Sequence, residues 1–179
     1  MKNYSRYWVL CLLLFSSASV FSQTEVLQAK MKMDHSHMPI SVPESVKPVA
    51  LSLVLIKDAM SGFNLTLQTQ HYDLMPPRQG LSMDESMSAL INDDSGYVEG
   101  HAHLYINGEK IQRVYGSNIH LPETLFKQGT NSISVTLNNH GHMAWTKDDK
   151  KIVSTLYIDN LETGAIKHTF ESFPIQETD

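Results

Sequence analysis

The chain has 179 residues, 41% of them apolar, with 14 Lys+Arg against 19 Asp+Glu and a single cysteine. That length suits one domain with added segments. A formal charge of −5 lacks the basic surface that nucleic-acid recognition needs, so no nucleic-acid partner is expected.

Residues 1–22 read as a secretory signal peptide. Lys2 and Arg6 form a positive start, Trp8 to Phe15 a short apolar run, and Val20 and Ser22 the small residues before a cut at Gln23. The run is too short for a transmembrane anchor, and Cys11 inside it lacks the small residues that precede a lipidated cysteine. Cleavage would leave no membrane span and no cysteine, hence no disulfide and no thiolate ligand. It would also leave all nine histidines and eight of the nine methionines. The expected location is the periplasm or outside the cell.

Residues 23–48 carry three prolines and little periodicity and read as a flexible tail. Within it Met31, Met33, His35, His37 and Met38 place five soft or borderline metal ligands in eight residues. The folded domain is expected from Val49 to Asp179. Val49 to Ile56 reads as a buried strand, and Phe63, Leu65 and Leu67 alternate with polar residues in the next. His71 continues that inward phase and is a second-tier ligand candidate. Ser82 and Glu85 form a capping box for one or two helical turns between Ser82 and Asn92. Met75, Met83 and Met87 in this stretch read first as packing residues.

The plainest strand is Glu99 to Ile106. Side chains alternate along a strand, so Ala102, Leu104 and Ile106 share the core face, while His101, His103 and Tyr105 share the other. Asn107-Gly108 predicts a type I′ turn, because both residues accept positive φ. Lys110 to Tyr115 should return antiparallel. Ser117 to Leu121 follows as a short strand with His120 outward, and Asn131 to Asn138 alternates with Ile133, Val135 and Leu137 inward. That strand runs into Asn139-His140-Gly141-His142-Met143-Ala144-Trp145. Lys151 to Ile158 and Ala165 to Phe173 complete seven or eight strands, which argues for an all-β antiparallel sandwich.

Several of these segments also match a known pattern. The run His101-Ala102-His103-Leu104-Tyr105-Ile106-Asn107-Gly108-Glu109-Lys110, with Arg113, Tyr115-Gly116, His120-Leu121-Pro122, Gly129-Thr130-Asn131, Val135-Thr136-Leu137-Asn138 and His140, resembles a family of small secreted bacterial β-sandwich domains. Ser61-Gly62-Phe63-Asn64-Leu65 fits it too, so the resemblance covers about Val49 to Ile158. It implies a cupredoxin-like or immunoglobulin-like fold in the bacterial envelope and implies no reaction.

Two imidazoles on one strand face suit a metal ion but need further ligands. His120, His140, His142 and Met143 are the candidates to complete the set, and Trp145 could shield it. Imidazole with thioether suits Cu(I), and imidazole alone suits Cu(II) or Zn(II). The leading expectation is a copper-binding protein for storage, transfer or detoxification, with another periplasmic metal-handling protein as its partner and no catalysis. Two alternatives stand beside it. One is a metal-free interaction module for a protein or glycan, with Tyr105, Tyr115 and Trp145 as contact residues. The other is a superoxide-dismutase-like metalloenzyme, suggested by Gly100-His101-Ala102-His103 and weakened by the missing cysteines. No nucleophile elbow, H-E-x-x-H motif or N-terminal histidine brace is present.

Overall fold

A computed structural model describes residues 38–160 and 169–171. The expected signal peptide, Met31, Met33, His35, His37 and most of the segment after Asn160 lie outside these residues.

The fold is all-β, in two sheets. The large one centres on β5 (Val98–Ile106) and β8 (Gly129–Asn138), which pair antiparallel with His101 opposite Asn138 and His103 opposite Thr136. β6 (Glu109–Val114) flanks β5, and β11 (Val153–Asn160) flanks β8, followed by β12 (Thr169–Glu171). β4 (Tyr72–Leu74) joins the start of β5 in parallel. At the far end of β8, β9 (Ala144–Lys147) pairs with β1 (Pro39–Ser41) and with the two-residue β10 (Lys150–Lys151). The small sheet has β2 (Ala50–Lys57), β3 (Phe63–Gln70) and β7 (Asn118–Leu121) in the order β2-β3-β7.

The core forms where the apolar phases of the two sheets meet. Leu51, Leu53, Leu55, Phe63, Leu65 and Leu67 of the small sheet are buried in one cluster with Ala102, Leu104, Ile133, Val135, Leu137 and Leu156 of the large one. Each such side chain contributes about 1.5–3 kcal/mol by leaving water. Asn107 and Gly108 turn with φ of 53° and 82°, the signature of the expected type I′ hairpin. The capping box also forms, on the short helix α1 (Met83–Met87).

Three expectations need correction. Among the described residues, strand structure begins at Pro39 rather than Val49, because β1 is made by a parallel partner more than a hundred residues away in the chain. Twelve strands form among the described residues, since short pieces such as β1, β4 and β10 carry no periodicity of their own. Trp145 is fully buried and is therefore no contact residue for a partner. The histidine face of β5 is buried as well: His101 is 2% exposed and His103 and Glu99 0%. Among the described residues, no helix is long and apolar enough to cross a membrane.

Candidate metal centre

β5 is a central strand, so its apolar face is sealed by the core and its polar face needs another cover. The β8–β9 connection is part of that cover. Asn139 organises it: its N–H donates to Met143 O at 3.0 Å, its carbonyl accepts from His142 N–H at 3.1 Å, and its Oδ1 accepts from Met143 N–H at 2.9 Å. The helical insertion clamps the same loop, with Gly141 N–H donating to Ser86 O at 2.7 Å and Asn139 Nδ2 to Ser88 O at 3.2 Å. A Cβ at position 141 would stand 2.5 Å from Met87 Sδ and 2.8 Å from Ser86 O, so only glycine fits under the clamp.

His142 then takes φ 70°, a left-handed conformation uncommon for a residue with a side chain. Asn138 Nδ2 donates to its carbonyl at 3.0 Å, while Thr136 Oγ1 donates to Asn138 Oδ1 at 2.8 Å. The loop thus delivers His142 Nδ1 to 3.3 Å from His101 Nε2 and 3.2 Å from His103 Nε2, which lie 3.0 Å from each other. Three nitrogens bound at 2.0–2.1 Å in tetrahedral geometry stand about 3.3 Å apart. The observed triangle has nearly those edges. A proton shared along one edge serves two nitrogens at most, whereas a cation above the centre serves all three. These three histidines form a group that could hold a metal ion.

Electrostatics prepare the same chemistry. The His101 imidazole is pushed down to about 2, first by burial and then by the neighbouring His103 and His142. It stays neutral, with a lone pair to give. Tyr72 fixes the backbone beneath it: its hydroxyl lies 2.9 Å from His101 O and 2.8 Å from Asn138 O, and burial raises its own titration well above the usual phenol range. Gly100 leaves room for this approach, since a Cβ there would run into Asn138 O.

The remaining histidines go elsewhere. His140 does not turn the same way as His142. Its Nε2 lies 3.4 Å from Glu99 Oε1, and its ring stacks against that of His101 with centroids 6.4 Å apart. Burial pushes its titration down, against the pull of the Glu99 charge. His120 sits on β7 in the small sheet, with Nδ1 3.1 Å from Asn64 Oδ1. His71 follows β3, with Nδ1 2.7 Å from Pro48 O and its ring edge-on to Tyr97. Met143 follows His142 in the chain, and Met143 and Met38 immediately precede the paired residues Ala144 and Pro39.

Sequence reasoning passed over Glu99 as a site residue. It is fully buried two positions before His101 on the same face, and its Oε1 is 2.8 Å from Arg78 Nη2. The period-2 signal that paired the histidines extends back to it. Compared with known protein families, curated proteins and solved structures, the chain matches none.

Proposed function

We propose that this protein binds copper at His101, His103 and His142 and serves in storage, transfer or detoxification, with no turnover. The observation that carries the reading is the convergence of three ring nitrogens, 3.0–3.3 Å apart, in a group whose two strand members are buried. Burying three imidazoles against one another costs stability unless something compensates, and a cation supplies that compensation. Neutral imidazoles suit Cu(I), Cu(II) and Zn(II). The methionines at 31, 33, 38 and 143 favour copper over zinc, since thioethers prefer the soft ion. The signal-like start at residues 1–22 supports an extracytoplasmic setting, where a metal-handling protein would be the natural partner. The resemblance to secreted bacterial sandwich domains points the same way.

The test is titration of the full-length protein with Cu(I), Cu(II) and Zn(II) against competing chelators, beside His101→Ala/His103→Ala. One tight equivalent that vanishes in the double variant is expected, with copper held more tightly than zinc. Equal metal uptake by the two proteins would sink the triad as the site. Tighter zinc than copper would overturn the metal assignment.

A further inference from the structure

The histidine face of β5 has two flanks. On the β8 side, Asn138 and Thr136 stand opposite His101 and His103, and the loop they hold brings His142 over the pair. On the other side runs β6, which pairs with β5 alone among the described strands. Its register puts Arg113 directly opposite His103. Residues opposite one another in an antiparallel pair project on the same face, with Cβ atoms about 4.5–5.5 Å apart. Tyr115, two residues on, keeps to that face: its ring lies against His101 with centroids 5.5 Å apart. Arg113 and Tyr115 are both exposed, as is Lys110 opposite Tyr105. The open flank of the triad therefore carries positive charge.

That charge conflicts with a cation site unless a counter-ion joins it. The candidate ligands are three imidazoles. Burial first, then His103, His142 and Arg113, keep the His101 ring unprotonated, so it brings a lone pair and no negative charge. Glu99, the acidic residue of this strand, is already paired with Arg78 at 2.8 Å and approached by His140. Among the described residues no carboxylate pairs with Arg113. A copper ion on the triad would have a guanidinium on its flank and nothing to balance either, and uncompensated charge held away from water is costly.

Three histidines on one side of an ion leave the fourth position of a tetrahedral set open. We infer that this position takes a small carboxylate-class anion, such as formate or bicarbonate, shared between the triad-bound metal and the Arg113 guanidinium, with Tyr115 as the neighbouring wall. This rests on the triad being the metal site. The anion class follows from geometry. A carboxylate has one oxygen for the metal and another for the guanidinium, whose planar fork matches such groups. A halide has a single centre and serves one partner at the expense of the other. Linkage adds a consequence: an anion that binds better beside the metal also tightens the metal, by the same factor. The site would then hold copper firmly where such anions are abundant and yield it where they are scarce.

The experiment uses the full-length protein loaded with Cu(II) and azide as the probe, since azide gives a charge-transfer absorption only when it is bound to the metal. Formate and chloride are titrated to displace it from the parent, Arg113→Gln and Arg113→Lys, after copper stoichiometry has been measured in each. The parent should bind azide and release it to formate at lower concentrations than to chloride. Arg113→Gln should keep its copper and bind formate about ten- to a hundredfold more weakly, the effect of losing a charged hydrogen bond. Arg113→Lys should recover part of that loss. Formate should also protect copper from a competing chelator in the parent and not in Arg113→Gln. Copper bound without an azide band, or equal formate affinity in the parent and Arg113→Gln, overturns the anion site and leaves the triad standing. Chloride displacing azide as readily as formate does overturns the carboxylate class. Loss of copper from Arg113→Gln makes Arg113 a support of the metal site itself and overturns the inference as well. A parent that takes up no Cu(II) removes the triad and the inference together.

Discussion

The two faces of β5 are both buried, and they are buried for opposite reasons. Ala102, Leu104 and Ile106 are buried, the first two in one cluster with apolar residues of β2, β3 and β8, and they stabilise the sandwich as they leave water. Glu99, His101 and His103, one residue out of phase, are buried as deeply, beneath the β8–β9 loop that a five-residue helix clamps. That second burial desolvates polar groups and gains little apolar area, so it is a cost to the fold. One face explains why the protein folds, and the other carries a histidine group that could hold a metal ion.

The largest separation between the faces should come from substituting each. His101→Ala/His103→Ala is expected to abolish tight copper binding, a loss of at least about a thousandfold, while thermal melting of the metal-free protein stays level or rises. A metal-free protein that melts far lower would mean the histidines hold the fold together. Leu104→Ala is the reverse case. It should cost about 2–5 kcal/mol in urea unfolding and leave copper stoichiometry intact wherever the variant remains folded.

Acid should distinguish the faces by another route. His101 stays unprotonated in the native state down to about 2, whereas the unfolded chain takes up a proton near the ordinary value of 6.5. The unfolded state then binds more protons below pH 6.5. Stability of the metal-free protein should be flat above that pH and fall below it by about 1.4 kcal/mol per unit. His101→Ala should flatten the slope, and a slope unchanged by that substitution would place the titration elsewhere.

Smaller effects sharpen the role of the cover. Gly141→Ala forces the loop off Met87 and Ser86 and should weaken copper binding about tenfold, roughly 1.4 kcal/mol, with the sheets unaltered by circular dichroism. His120→Ala removes an exposed hydrogen bond to Asn64 on the other sheet. It should change neither copper affinity nor stability by more than about 0.5 kcal/mol.

What could be read from the chain alone follows the same division. Alternation placed His101 and His103 side by side, because that relation is local and has period two. The Asn107-Gly108 turn and the Ser82–Glu85 box were legible for the same reason. His142 was one of several candidates, placed with His140 behind His120, since its selection depends on a positive φ and a clamp from α1, about fifty residues upstream. His140 and His142 looked alike in sequence, yet one faces Glu99 and the other the triad. His120 has the outward phase expected of it, but phase does not reveal which sheet a strand joins. β1 was invisible because three residues opening on a proline have no period, and only β9 makes them a strand.

Glu109, Lys110 and Arg113 lie along β6, which pairs with β5 alone among the described strands. A free edge exposes unpaired backbone groups that invite another chain to add a strand. Charges along that edge, with the shift in pairing between Leu104 and Tyr105, oppose such addition. The histidine group lies one strand inward from this edge, so chains could accumulate at high local density without strand exchange reaching the histidines.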